Sequence, residues 1–550
     1  MNYKLLGKIL GKIMILESIL MMAPLAVSII YKEYSKSTLI GSAVVNGVIV
    51  NQYGGIKYIL AFVIPIIVLL TLGMLMQFPK PQRKSLYQKE GFALVATVWI
   101  VMTLFGAVPF VINGNIPNYI DACFEIMSGF TTTGASVIDN ITLMAHSTLF
   151  WRSFSHWIGG MGILVFVLIF IPESKDGSAM HLLRAESPGP QVGKIVSKMR
   201  ATARILYLIY LGMTVILASI LIIGPLIDTN AALQATGIDY SGDKVFHALI
   251  TAFGCAGTGG FGSIPNSLQY FTPFAQYTVS ISLLLFGINF TMYYLILIGK
   301  IKDVFRSEEI KTYFSIIIAA VGLVFISLKL GGLIDSFAIP QNYNTTEEAF
   351  RHSLFQVASI LTTAGFSSTD YDVWPVLGKM VLVICMLMGA MAGSTAGGIK
   401  TSRIVMAVKG SYINIRKTIN PRYVPKAKFE GKLLEEKTIN DVFAFITMYA
   451  CVFVLAMFII SFDPVNGTTV LINSDAGTGR EVTHGFFSNF SAVASCMSNI
   501  GPGFEAVGPY ASFSGYNWFS TLILTFTMLI GRLEILPVLI LFSPRTWKKI

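Results

Sequence analysis

The chain has 550 residues, 54% of them hydrophobic and only 13% charged, with a mean hydropathy of +0.68 and a formal net charge of +11. A soluble domain carries about one quarter charged residues, so this composition excludes an ordinary soluble protein and places the chain in the membrane class. Lys and Arg fall in alternate loops, so membrane topology explains the basic excess better than a nucleic-acid partner does.

A membrane helix needs about 20 apolar residues. Stretches of that kind lie near 13–31, 59–77, 91–112, 148–171, 205–227, 274–299, 313–331, 374–408, 439–462 and 517–543, and ten spans are predicted. Lys4, Lys8 and Lys12 precede the first stretch in the manner of a secretory signal. The apolar run continues through Ala23 to Ile30 with no small-residue cleavage site followed by polar sequence, which predicts a first transmembrane helix instead. The sequence thus predicts an all-α membrane protein: an N-terminal helix pair (1–90) followed by four units at 91–203, 204–311, 312–437 and 438–550.

Each unit reads as a span, a short helix-like run, a glycine segment and a second span. The runs are Asp121 to Phe130, Phe246 to Cys255, His352 to Leu361 and Ser488 to Asn499, all too short to cross a bilayer. The segments after them are Thr131-Thr132-Thr133-Gly134, Gly257-Thr258-Gly259-Gly260, Thr362-Thr363-Ala364-Gly365 and Ser498-Asn499-Ile500-Gly501. Taking Gly134, Gly259, Gly365 and Gly501 as equivalent gives a fourfold internal repeat. Glycine lets the backbone turn carbonyls toward a common axis, and rings of backbone carbonyls can replace an ion's hydration shell. Non-helical backbone at membrane depth must be surrounded by protein or water, and helix C-terminal ends aimed at the centre favour a cation. Thr131, Thr132, Thr133, Gly134, Gly257, Thr258, Gly259, Thr362, Thr363, Ala364, Gly365, Asn499, Ile500 and Gly501 are therefore the candidate cation-coordinating residues.

In the third unit, Met388 to Lys400 packs small residues into the middle of a span. Each glycine costs a helix about 1 kcal/mol relative to alanine, so a broken helix is predicted there, against the alternative of a small-residue packing face. Gly389, Gly393, Ser394, Thr395, Gly397, Gly398 and Lys400 become candidate gate residues. Arg532 and Glu534 lie inside the last span, where ionisable groups are expensive and mark function. At i and i+2 they point to different sides of the helix and are not simple partners. Arg532 is read as pore-facing; the competing role for both is an interhelical ion pair.

The basic loops hold Lys80, Arg83, Lys84, Lys89, Arg184, Lys194, Lys198, Arg200, Lys300, Lys302 and Arg306, and ten basic residues lie between Lys400 and Lys437. These loops and both termini are predicted to be cytoplasmic. The opposite loops hold Asp228, Asp239, Asp243, Asp335, Glu347, Glu348, Asp463 and Asp475, an acidic outer face that would concentrate cations.

Several motifs carry no chemistry. Gly257 to Gly262 satisfies a GxGxxG pattern but lacks its strand and helix context, and Ile399 stands where a phosphate-binding loop needs lysine. The five cysteines show no metal or disulfide spacing, and the six histidines are scattered. No cofactor or enzymatic site is predicted.

With these segments in view, the chain resembles the Trk/Ktr/HKT superfamily of potassium transporters, in its TrkH/TrkG branch. The likeness rests on Phe124 to Ser136, Phe246 to Gly262, Leu354 to Ser368, Gly389 to Arg403, Asn499 to Phe504 and Gly531 to Pro537. It implies that Gly134, Gly259, Gly365 and Gly501 are filter glycines, that Gly389 to Lys400 is an intramembrane gating loop and that Arg532 faces the pore. Glycine at 134, where sodium-selective plant relatives carry serine, supports potassium. The resemblance also implies a homodimer, a TrkA-type cytoplasmic nucleotide-binding regulatory subunit and a bacterial plasma membrane location. A sodium or sodium-coupled transporter of the same fold is the alternative.

Overall fold

The computed structural model describes residues 1–45, 48–79, 87–162, 199–236, 240–334, 343, 345–422, 428–473 and 479–547. Helix Tyr3–Leu20 continues into Met22–Ile30, beginning well before the predicted first span, and Lys57–Leu75 runs back alongside it. Gly11 and Gly73 meet where the two helices touch; a Cβ on Gly11 would sit less than 3.0 Å from the Gly73 carbonyl oxygen. Small residues let helix backbones approach this closely in lipid, where apolar side chains gain nothing by leaving their surroundings.

Four units follow. Their outer helices are Gln88–Gly106, Met199–Ile223, Glu308–Ile334 and Glu436–Ile460. The short helices are Tyr119–Phe130, Lys244–Gly257, Thr346–Leu361 and Phe486–Ser498. The inner helices are His146–Gly160, Pro273–Phe286, Val376–Leu387 and Trp518–Leu533. The short helices start two to six residues before the predicted runs, and in the first and third units a capping residue outside the apolar pattern begins the helix. Asn118 accepts from the Ile120 N–H, and Thr345 with Glu348 forms a capping box.

Among the described residues, six helices are long and apolar enough to span a membrane, with a bent pair as a seventh. The predicted single spans at 274–299, 374–408 and 517–543 are each interrupted. Pro273–Phe286 and Phe290–Leu297 meet at 89°. Val376–Leu387 gives way to a loop before Thr401–Ile419, and Trp518–Leu533 ends on Glu534 and Ile535, both at positive φ. The first inner helix stops at Gly160, and the predicted remainder, 163–171, lies outside the described residues. All four inner helices therefore end partway, three of them beside glycine: Gly160, Gly287 and Gly389. A hydropathy window reads through such breaks because the flanking residues stay apolar.

The body is all-α as expected, with three antiparallel strand pairs among the described residues: Leu39–Val45 with Val48–Tyr53, Lys428–Phe429 with Lys432–Leu433, and Thr469–Asn473 with Gly479–Thr483. Lys80, Arg83, Lys84, Arg184, Lys194, Lys198, Asp239, Asp335 and Asp475 lie outside the described residues.

Candidate functional site

Each short helix ends in the same way. The residue two positions before the segment glycine is left-handed: Thr132 (φ 55°), Thr258 (φ 54°), Thr363 (φ 56°) and Asn499 (φ 57°). The next N–H then reaches back five residues, from Thr133 to Ser128 O (2.8 Å), Gly259 to Gly254 O (2.8 Å), Ala364 to Ser359 O (2.7 Å) and Ile500 to Ser495 O (2.9 Å). This is a Schellman termination, normally built on glycine. A left-handed L-residue costs roughly 1–2 kcal/mol, and β-branched threonine is among the least suited to it. Three of the four units keep threonine there, so backbone strain is concentrated at these helix ends.

That register corrects the sequence alignment. The glycine two residues after the left-handed position is Gly134, Gly260, Gly365 or Gly501, at φ 83°, 80°, 77° and 108°. In the second unit the equivalent glycine is Gly260 and not Gly259. Two adjacent glycines made the sequence register ambiguous, and the termination geometry resolves it.

The four segments close into a ring. A Cβ on Gly134 would lie less than 3.0 Å from the Gly259 carbonyl oxygen. Gly260 stands in the same relation to Ala364 O, Gly365 to Ile500 O, and Gly501 to Thr133 O. Each unit thus abuts the next in chain order and the fourth returns to the first, which sets units one and three on opposite sides. The residues of the ring, Thr131 to Thr133, Thr258, Thr362 to Gly365 and Ser498 to Gly501, are buried.

Supports differ behind the ring. In unit one, Arg152 Nε donates to Glu125 Oε1 (2.7 Å), while Glu125 also accepts from Ser136 Oγ (3.1 Å) and the Val137 N–H (3.0 Å). The Arg152 guanidinium lies over the Phe261 ring at 4.0 Å. In units two and three a histidine meets a serine sixteen residues on: His247 Nδ1 with Ser263 Oγ (2.7 Å) and His352 Nδ1 with Ser368 Oγ (2.8 Å). In unit four Ser488 Oγ donates to Glu505 Oε2 (2.8 Å). These links tie each short helix to the chain leaving the ring. Removing one member of a buried ion pair strands the other charge, so Glu125→Gln is expected to destabilise the protein by about 3–5 kcal/mol. Thermal unfolding in detergent measures it.

The second segment is richer in glycine because His156 occupies its flank. The imidazole stacks on Phe261 at 4.2 Å, and a Cβ on Gly259 would fall less than 3.0 Å from its Nδ1. Gly259→Ala is therefore expected to disturb the site through His156, and Gly259→Ala/His156→Ala is expected to regain much of the lost transport. Gly260→Ala, facing Ala364 O, should gain nothing from the same second change.

Below the ring lies the loop 388–400, where the sequence expected a broken helix. Its ends are joined, with the Gly389 N–H donating to Ile399 O at 2.7 Å. Gly393 and Gly398 have positive φ. The loop touches three segments: Gly397 N–H donates to Thr363 Oγ1 (2.6 Å), Thr395 Oγ1 lies 3.4 Å from Thr258 Oγ1, and a Cβ on Gly397 would strike Ser498 O and Asn499. Lys400 Nζ donates to Ala396 O within the loop. Ser394 Oγ donates to Met391 O (2.7 Å).

Arg532 sits in the last turn of the fourth inner helix. Its NH1 donates to Thr395 O (2.9 Å), and its NH2 to Gly159 O (2.5 Å) and Gly160 O (2.9 Å). It therefore binds the C-terminal carbonyls of unit one's inner helix to the loop of unit three, bridging opposite sides beneath the ring. Glu534 pairs with Arg403 rather than with Arg532, and Arg403 also covers Phe445 at 4.1 Å. The interhelical ion pair weighed for both residues is thus found for Glu534.

These four units, with their ring and the loop beneath it, coincide with a known family: the TrkH family model, described as cation transport protein, matches residues 59–549. The chain belongs to the TrkH family. It is 30% identical over 555 residues to the Trk system potassium uptake protein TrkH of Escherichia coli K12, and 29% identical to its Salmonella typhimurium counterpart, with all of each chain covered. The crystal structure of the potassium transporter TrkH from Vibrio parahaemolyticus superposes with a TM-score of 0.77 at 28% identity, covering all of both chains. As a TrkH-family member the protein is a transporter and not an enzyme.

Sequence reasoning missed Gly260, Ser498, Glu125, Arg152 and His156. The rule that singled out Arg532, a charge inside an apolar helix, applies equally to Arg152 within 148–171.

Proposed function

We propose that this TrkH-family protein takes up potassium through a central pore, with dehydrated K⁺ held by backbone carbonyls of the four-segment ring. The observation that carries this reading is the closed ring: four left-handed helix ends, three of them strained at threonine, bring the carbonyls of Thr133, Gly259, Ala364 and Ile500 against the glycines of neighbouring units. The C-terminal ends of four short helices add partial negative charge at the same place. Potassium uptake in the printed names of the E. coli and Salmonella relatives supports the choice of ion.

In this reading Thr131 to Gly134, Gly257 to Gly260, Thr362 to Gly365 and Ser498 to Gly501 form the filter. Gly389, Gly393, Ser394, Thr395, Gly397, Gly398 and Lys400, with Arg532, form the gate. The loop lies under three segments, and Arg532 locks it to the opposite unit. The basic face is cytoplasmic, both termini lie there, and the protein is a multi-pass component of a bacterial plasma membrane, in keeping with the alternation of basic and acidic loops. The repeat boundaries lie just before the outer helices, two to five residues ahead of those drawn from the sequence. The working form is a homodimer, docked on a TrkA-type nucleotide-binding regulator at its basic face.

Rubidium or potassium flux through purified protein in liposomes, with sodium as competitor, tests the proposal. Flux that potassium inhibits and equimolar sodium does not is the expected result. Equal competition by sodium would favour the sodium-transporting alternative, and no cation flux under any condition would overturn the reading.

A further inference from the structure

The loop 388–400 is held from the basic face by a residue that neither the ring nor Arg532 requires. Glu309, in the first turn of helix Glu308–Ile334, is 2% exposed. Its Oε1 accepts from the Ala392 N–H (2.8 Å). One carboxylate thus binds the body of the loop from the start of a neighbouring outer helix. The reason it stands there is electrostatic and steric. A buried loop N–H group needs an acceptor within the protein, and a carboxylate is the strongest acceptor a side chain can offer.

The helix start that carries Glu309 is itself held by the hairpin Lys428–Leu433. The hairpin turn is Glu430-Gly431, both at positive φ (49° and 76°), which aims Glu430 at the helix end. Glu430 Oε1 accepts from Ser307 Oγ (2.7 Å) and from the Glu309 N–H (2.9 Å), the latter an N–H that an α-helix leaves unpaired. Lys409 reinforces the joint, pairing with Glu308 and donating to Lys428 O (2.6 Å). Phe429 is buried beside Met406 and Val442, so the hairpin is seated on two other helices. An unbroken series of bonds therefore runs from the surface hairpin through Glu430 and Glu309 to Ala392, three residues from the Thr395 carbonyl that Arg532 holds.

We propose that Glu309 is a positioning residue that keeps the 388–400 loop beneath the ring, and that Glu430 in the hairpin turn is the handle through which the basic face moves it. This rests on the reading of the loop as the gate. A partner that pulled the hairpin would draw Glu430 off the helix start and loosen Glu309 from Ala392, releasing the loop from below while Arg532 still held it from the side.

The test is rubidium flux into liposomes containing equal amounts of purified full-length protein, with sodium competition measured in parallel. Glu309→Ala is expected to raise flux on the order of tenfold, within the range that coupling between sites ordinarily spans, and to leave potassium preference unchanged. Glu309→Gln keeps an acceptor for Ala392 and should rise less, a rescue that general damage to packing would not produce. Glu430→Ala should also raise flux, and the double variant should not exceed Glu309→Ala, because residues acting along one path are not additive. If Glu309→Ala does not fold, the Gln and Glu430→Ala variants carry the test. Unchanged flux in these variants, or effects of the two sites that multiply, would overturn the inference. Arg532→Ala serves as the reference: if it raises flux and the glutamate variants do not, only this inference falls, whereas if none alters flux, the gate reading falls with it.

Discussion

Alanine at Gly365 is expected to abolish potassium-selective flux, by at least about 100-fold, which corresponds to about 2.7 kcal/mol added to the barrier. The added Cβ would enter the space of the Ile500 carbonyl oxygen, the tightest approach among the four ring glycines, and Pro502 stands beside it. Neither neighbour is a flexible side-chain end, so the segment must shift, and at φ 77° alanine is strained besides. Gly134 and Gly260 face nearly equal obstruction, while Gly501 meets its neighbour Thr133 O at the loosest of the four contacts. The predicted order of severity is Gly365, then Gly134 and Gly260, then Gly501. Rubidium flux with sodium competition reads both the loss and any relaxed selectivity. A ring that tolerated Gly365→Ala with selectivity intact would not be the filter.

Arg532→Ala is expected to raise flux about tenfold, the scale of a coupling of about 1.4 kcal/mol. The substitution releases Thr395 O from Gly159 O and Gly160 O, so the loop and the first inner helix lose their common tie. It also removes a positive charge beneath the ring, and the two effects are separable. Lysine keeps the charge but not the planar fork that reaches three carbonyls. If Arg532→Lys keeps flux low, the charge is the barrier; if flux rises toward the alanine level, the mechanical tie is what closes the pore.

The repeat was legible because each unit is punctuated by the same signals: an apolar span, a run too short to cross, and a glycine after small or hydroxylated residues. The loop was legible for a related reason, since glycines gathered at Gly389, Gly393, Gly397 and Gly398 oppose a helix wherever it is placed. The register of the second segment was not. Gly257, Gly259 and Gly260 all satisfy a rule that asks only for glycine, and the choice among them depends on which residue ends the helix in a left-handed conformation. Nor did the sequence show why that segment is so poor in side chains, because His156 comes from a helix more than a hundred residues earlier. Arg532 and Glu534 were conspicuous as charges in an apolar span, yet their partners lie far away in sequence, at Gly159, Gly160, Thr395 and Arg403.

Composition and periodicity by themselves determined the membrane class, the four units and the residues near the ring, since hydropathy, helix-breaking glycine and the cost of buried charge act locally along the chain. Tertiary structure alone decided that the segments close into a ring in chain order, that Gly260 rather than Gly259 is the second unit's ring glycine, and that Arg532 and Glu309 hold one loop from two sides. Those facts depend on which backbone atoms face each other across units, and hydrogen bonds of 2.5–2.9 Å between residues 83 to 373 positions apart leave no periodic trace in the sequence.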